Sequence, residues 1–140
     1  MKKIFFLVVI LTLSLLCRAQ ERKYSTFYYQ RATLFEELPV TSSDIIFLGN
    51  SITNGAEWAE LFKNKHVKNR GISGDTSDRL LERLECNALN INPKNLVILI
   101  GTNDIGIGVP TEYTLKNIKE ILQRTQTLCS NTAVKSSIRA

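Results

Sequence analysis

Apolar residues fall along this chain in two rhythms, and their alternation predicts its architecture. Asp44-Ile45-Ile46-Phe47-Leu48 and Leu96-Val97-Ile98-Leu99-Ile100 are short, nearly unbroken apolar runs, each followed by a glycine. Such runs predict strands buried on both faces. His66-Val67-Lys68-Asn69-Arg70 is more polar and predicts a strand at a sheet edge. Helical spacing fills the intervals. Tyr24, Phe27, Tyr28, Leu34, Phe35 and Leu38 mark a helix over Glu21–Leu38, closed by Pro39. Trp58, Leu61 and Phe62 form the stripe of a helix capped by Asn54, with Glu57 as its capping-box partner. Leu80, Leu81 and Leu84 mark a helix capped near Asp75 or Thr76. A last helix begins at Pro110-Thr111, with Leu115, Ile118, Ile121, Leu122 and Leu128 as its inner side, and Thr132-Ala133-Val134 begins another strand. Strands alternating with helices, the strong ones almost wholly apolar, predict an α/β domain with a parallel sheet.

The N-terminus follows neither rhythm. Lys2-Lys3 precede an apolar stretch from Ile4 to Leu16, then Cys17-Arg18-Ala19-Gln20. A basic start, a short apolar region and a small residue before a cut describe a secretory signal peptide over 1–19. The stretch falls short of the roughly 20 residues that a membrane span needs. Lipoprotein anchoring through Cys17 fits poorly, because Leu16 stands where a lipobox has a small residue. The expected division is therefore 1–19 signal peptide, 20–43 helical lead-in and 44–140 catalytic-type domain, with an exported product that keeps no stable membrane span. Removing 1–19 takes away Lys2, Lys3 and Arg18 and no acid, so the net charge falls from +5 to +2. With no Lys/Arg run interleaved with aromatics, nothing points to nucleic acid. Cys86 and Cys129 remain, either as a disulfide of an exported protein or as two buried thiols.

Three small-residue turns close the predicted strands: Gly49-Asn50-Ser51-Ile52-Thr53, Gly71-Ile72-Ser73-Gly74-Asp75-Thr76 and Gly101-Thr102-Asn103-Asp104. Ligands of open parallel sheets bind beyond the carboxyl ends of the strands, so the turns should share one crevice. A serine just after a strand can stand at a helix N-terminus, where free N–H groups favour a developing oxyanion. The same residue also serves as an ordinary helix cap. Gly74 allows close backbone approach and Asn103 offers side-chain N–H donors; both residue types are equally common in plain turns. Their joint arrival at successive strand ends is what favours chemistry.

With these blocks, 44–128 resembles the SGNH hydrolases, also called the GDSL esterases and lipases. Gly49-Asn50-Ser51-Ile52-Thr53 is similar to the first block, with Ser51 at the nucleophile. Asn69-Arg70-Gly71-Ile72-Ser73-Gly74-Asp75-Thr76 resembles the second, with Gly74 at the oxyanion-hole glycine, and Gly101-Thr102-Asn103-Asp104 the third, with Asn103 at the oxyanion-hole asparagine. The flavour is that of secreted bacterial acylhydrolases resembling platelet-activating factor acetylhydrolase and carbohydrate acetylesterases. The resemblance implies a three-layer α/β/α, flavodoxin-like parallel sheet and a hydrolysis of acyl or acetyl esters of sugars or lipids that uses neither metal nor cofactor. Ser51 would attack the carbonyl, the N–H groups of Ser51 and Gly74 and the Asn103 amide would hold the oxyanion, and a histidine would take the serine proton. Asn50 replaces the family's Asp, a tolerable change because that Asp is not the nucleophile and an amide can still hydrogen-bond the turn. The family's late Asp-x-x-His block does not occur, and His66, the only histidine, lies at the start of an edge strand. Catalytic His and Asp are thus absent, and the expectation is a truncated domain, incomplete at its C-terminal side, with impaired activity. The alternative is an inactive module that still holds an ester or sugar. A flavodoxin-like phosphate binder is disfavoured because no Gly-x-x-x-x-Gly-Lys-Ser/Thr occurs.

Overall fold

The two strongest apolar runs become neighbouring strands at the centre of one parallel sheet. The structure, a computed structural model, describes residues 23–90, 92–128 and 132–136. In chain order it holds α1 (Thr26–Glu37), β1 (Ile45–Gly49), the one-turn helices α2 (Ser51–Asn54) and α3 (Trp58–Leu61), β2 (Val67–Gly71) and α4 (Ser77–Leu84). A π-helical turn (Glu85–Leu89) extends α4; then follow β3 (Asn95–Ile100), α5 (Thr102–Gly106), α6 (Thr111–Leu128) and β4 (Thr132–Ser136). The sheet order is β2-β1-β3-β4 with every pair parallel. Ile45 stands opposite both Val67 and Asn95, and Leu96 opposite Thr132.

Alternation along the strands sorts the residues into layers. Ile46, Leu48, Leu96, Ile98 and Ile100 are buried against Leu80, Leu84, Ala88 and Leu89 of α4 and its π-turn and against Ile118 and Ile121 of α6. Each such side chain contributes about 1.5–3 kcal/mol by leaving water. Tyr28 and Phe35 carry α1 onto Ile72. On the other face Phe47 meets Trp58 and Phe62, with ring centroids 4.6 and 5.7 Å away. The α/β/α layering is therefore present, but its second helical layer is thin among the described residues. Ile45, Phe47, Val97 and Leu99 are only half-buried there, so β1 and β3 are not buried equally on both faces as their composition predicts.

Other expectations shift locally. Ser25 caps α1, accepting from the Tyr28 N–H, so the helix starts later than Glu21. Asn54 ends α2 instead of opening a helix, because that helix begins directly after β1 with Asn50 as its cap. Glu57 stands before α3 with no capping bond from its side chain. On α6 the inner stripe runs through Thr114, Asn117, Ile118, Ile121 and Thr125, while Leu115 is 39% exposed. β4 pairs with β3, so the strand begun at Thr132-Ala133-Val134 forms as the sequence predicts and β3 is not an edge. Cys86 is an exposed thiol rather than a buried one; Cys129 and the whole 1–19 segment lie outside the described residues.

Candidate functional site

From β1 the chain passes to β2 on one side of the sheet, and from β2 it returns across to β3 and β4 on the other. The reversal lies between the carboxyl ends of β1 and β3, where open α/β sheets hold their ligands. The first and third turns emerge there side by side.

Gly49 ends β1 in a space that admits no side chain: a Cβ would stand 2.4 Å from both the Leu99 carbonyl and the Thr53 hydroxyl. The chain then turns at once into α2. Asn50 is buried and does two jobs. Its Oδ1 accepts from the Ile52 N–H at 3.0 Å, and its Nδ2 donates to Thr102 Oγ1 at 2.6 Å. Ser51, the first residue of α2, is exposed, and its hydroxyl has no hydrogen-bond partner among the described residues.

The second turn is tied to the first. The Ile72 N–H donates to the Gly49 carbonyl at 2.9 Å, and Asp75 N–H closes the turn on the Ile72 carbonyl at 3.2 Å. Gly74 takes a left-handed φ of +81° on an open side of the turn. Behind it Asp75 is fully buried. Arg83 donates to its Oδ2 from Nε at 2.9 Å and from Nη2 at 2.7 Å, and Nη2 also reaches the Gly49 carbonyl at 3.1 Å. Burial pushes the Asp75 carboxyl up to about 6, and the Arg83 pairing offsets that rise only in part.

The third turn leaves β3 through Gly101, at a φ of 103°, and enters α5. Asn103 Nδ2 donates to the Asp75 carbonyl at 2.7 Å, so this amide sits beside the Gly74 turn; an amide nitrogen carries a second N–H besides. Asp104, also buried, accepts the Ser77 N–H at 3.0–3.1 Å and the Ser77 hydroxyl at 2.5 Å. Asn117 of α6 donates to that hydroxyl at 3.0 Å. The residues singled out by sequence, Ser51, Gly74 and Asn103, thus stand on turns that are hydrogen-bonded to one another at one end of the sheet.

His66 belongs to the other end. Its Nδ1 lies 2.9 Å from Asp44 Oδ1 and 3.4 Å from Ser43 Oγ, beside the first residues of β1 and β2. Both contacts use one ring nitrogen, so the imidazole cannot relay a proton from serine to aspartate. The five-residue strand β1 puts about 17 Å between this cluster and Ser51. Among the described residues no group of three or more His, Cys, Asp or Glu side chains could hold a metal ion. No described helix is long and apolar enough to cross a membrane.

Sequence reading missed three supports of the site: the link from Asn50 to Thr102, the Asp75–Arg83 pair, and Asp104 with Ser77 and Asn117. One signal was available. Arg83 falls beside Leu80 and Leu84 on the apolar stripe of α4, where a charge needs a buried partner.

Residues 47–136 match the model of the GDSL-like Lipase/Acylhydrolase family. Platelet-activating factor acetylhydrolase IB subunit alpha2 of Homo sapiens is 41% identical over 66 residues, which are 44% of this chain and 29% of that protein. A Streptococcus pneumoniae protein solved as a candidate platelet activating factor superposes with a TM-score of 0.70 at 29% identity, covering 94% of this chain and 59% of its own. A GDSL-like lipase from Bacteroides thetaiotaomicron gives a TM-score of 0.60 at 29% identity, covering 78% and 55%. The chain therefore spans under a third of that human relative and just over half of these two solved proteins.

Proposed function

The chain belongs to the GDSL-like lipase/acylhydrolase family, and from that premise we propose that its crevice is the nucleophile and oxyanion half of a serine esterase site. Ser51 Oγ attacks the carbonyl carbon of an acyl or acetyl ester of a sugar or lipid. The electron pair displaced onto oxygen is held by the N–H groups of Ser51 and Gly74 and by the Asn103 amide. What supports this reading is one arrangement: an exposed, unpartnered Ser51 hydroxyl on a turn hydrogen-bonded to those that carry Gly74 and Asn103.

The proton of Ser51 is the weak point. The single histidine of these 140 residues stands at the far end of the sheet. Serine hydrolases that lose one member of the triad retain roughly 10³–10⁴-fold catalysis over water from binding and the oxyanion hole. Slow p-nitrophenyl acetate hydrolysis at that level, unchanged in Ser51→Ala because it does not pass through the serine but lowered by roughly 10²–10³-fold in Asn103→Ala, is the expected result for this chain. Equal rates in the wild type and Asn103→Ala would sink the esterase reading, and a clear loss in Ser51→Ala would show that a base serves the serine after all. The missing base also favours a second reading, a module that holds an ester without turning it over; saturable ester binding with no release above the rate in buffer is its signature.

Residues 1–19 direct export in this proposal, with cleavage after Ala19. Intact mass of the protein recovered from a bacterial expression host should correspond to a chain starting at Gln20. Retention of Met1–Ala19 in the exported fraction contradicts it.

A further inference from the structure

Ser51 sits on a helix of a single turn, α2, too short to satisfy its own ends. Its last carbonyls are taken by side chains from outside it. Trp58 Nε1 donates to the Thr53 carbonyl at 2.8 Å, and Asn69 Nδ2 donates to the Asn54 carbonyl at 3.2 Å. Each of those carbonyls shares a peptide with an N–H that bonds back to the start of the turn. Asn54 N–H donates to the Asn50 carbonyl and Gly55 N–H to the Ser51 carbonyl, both at 2.9 Å.

The route through Trp58 ends on a proposed oxyanion donor. The Asn50 carbonyl and the Ser51 N–H belong to one planar trans peptide, so they point in opposite directions. With the carbonyl held along α2 by Asn54, the N–H projects out of the start of the helix, where it has no partner among the described residues. The order is therefore Trp58 N–H to Thr53 carbonyl, Asn54 N–H to Asn50 carbonyl, then a free Ser51 N–H. Bonds in such a series polarise one another, which strengthens the last donor. Trp58 is itself placed by the sheet. Its ring stacks on Phe47 of β1, with centroids 4.6 Å and planes 21° apart, and lies 6.3 Å from Phe62.

We propose that Trp58 is a positioning residue: its indole N–H grips the Thr53–Asn54 peptide, and that peptide sets the Asn50–Ser51 peptide so that the Ser51 N–H stays aimed out of α2. Its purpose rests on the esterase reading, which it deepens; its geometry rests on the two hydrogen bonds that share the Thr53–Asn54 peptide. Loss of the indole donor leaves the carbonyl of buried Thr53 without its bond and lets that peptide rotate. The cost to oxyanion stabilisation should be roughly tenfold, below the roughly 10²–10³-fold expected when a direct donor is lost.

Trp58 is the only tryptophan of the chain, so expression in a tryptophan auxotroph supplied with benzothienylalanine replaces it alone. That analogue keeps the size and the stacking of the ring and puts sulfur where the N–H was. Phe62→Leu is the converse, loosening the ring cluster while leaving the indole donor. Three signals are read on the full chain. They are the Ser51 amide nitrogen chemical shift, which senses the bond on the carbonyl of its own peptide; amide hydrogen exchange at Asn54 against Ile98 of β3; and the part of p-nitrophenyl acetate hydrolysis that Asn103→Ala removes. The analogue should move the Ser51 shift, speed Asn54 exchange and lower that hydrolysis by roughly tenfold, with Ile98 unchanged. Phe62→Leu should lower the melting temperature and leave the Ser51 shift and the hydrolysis as in the wild type. Unmoved Ser51 and Asn54 signals in the analogue overturn the proposal, and so does a full rate when those signals have moved. Phe62→Leu reproducing the loss overturns it too, because it marks a merely structural role. If Asn103→Ala costs the wild type nothing, the esterase reading fails instead, and the Ser51 and Asn54 signals still decide what Trp58 holds.

Discussion

At Gly49 and Gly71 the absence of a side chain is what lets the strand ends approach α2. A Cβ on Gly71 would stand 2.2 Å from the Asn54 nitrogen, against backbone that cannot yield without moving the helix that starts at Ser51. Gly71→Ala should therefore destabilise by about 3 kcal/mol, at the upper end for overpacking. Gly106→Ala meets nothing within 4 Å and should be neutral or stabilising by up to about 1 kcal/mol. Urea unfolding of the two variants checks the contrast, and similar midpoints would contradict it. Ser51, Gly74 and Asn103 were legible as turn residues because small and amide side chains at strand ends have few other uses. Asn50 was less so. Its place in the block marked it as an amide able to bond the turn, and its position in space makes it the cap of α2 and also the link to Thr102.

Elements were legible where one face is uniformly apolar and blurred where it is not. The start of α4 was placed to within a residue or two and Thr76 does stand at its N-cap, but the group that takes the first N–H was not foreseen. The Thr76 hydroxyl donates to the Asp78 carboxylate and accepts from no N–H of the helix, and the Ser77 N–H goes instead to Asp104, twenty-seven positions along the chain. The α6 stripe was misassigned at Leu115 for a related reason: Asn117 turns inward to reach Ser77, so the buried face is partly polar. Asp104→Asn leaves the shape but sets amide hydrogens against donors already there. It should cost about 2–3 kcal/mol, the range for a lost bond to a charged group. A thermal melt reads that loss, and hydrogen exchange should speed first at the N-terminus of α4. If instead Asp104→Asn melts with the wild type, Asp104 does not cap the helix.

For the molecule as a whole, two of the buried carboxylates, Asp75 and Asp44, pull stability in opposite directions with pH. Asp75 titrates near 6 in the folded chain, against about 3.9 when unfolded. Between those values the folded state holds a proton that the unfolded state lacks. The contribution of Asp75 is therefore fully present below about pH 4 and is lost as pH rises through 6. For Asp44, burial alone would raise the carboxyl, but the Thr41 N–H and His66 hold it below its ordinary value. Its contribution is present above about pH 4 and is lost as the solution becomes more acid. Urea titrations from pH 4 to 6.5 should show stability falling with pH and the slope flattening in Asp75→Asn; an unchanged slope in that variant would assign the effect elsewhere. Local sequence determined the strands, most helices, the parallel α/β class and the three turns, because periodicity and turn chemistry are properties of neighbours in the chain. The place of His66 at the start of a strand, away from Ser51, was already legible, whereas only the tertiary structure decided which turns meet and which face of the sheet is thinly covered. Those outcomes depend on strand order and crossover side, which bring together residues such as Asn50 and Thr102, fifty-two positions apart.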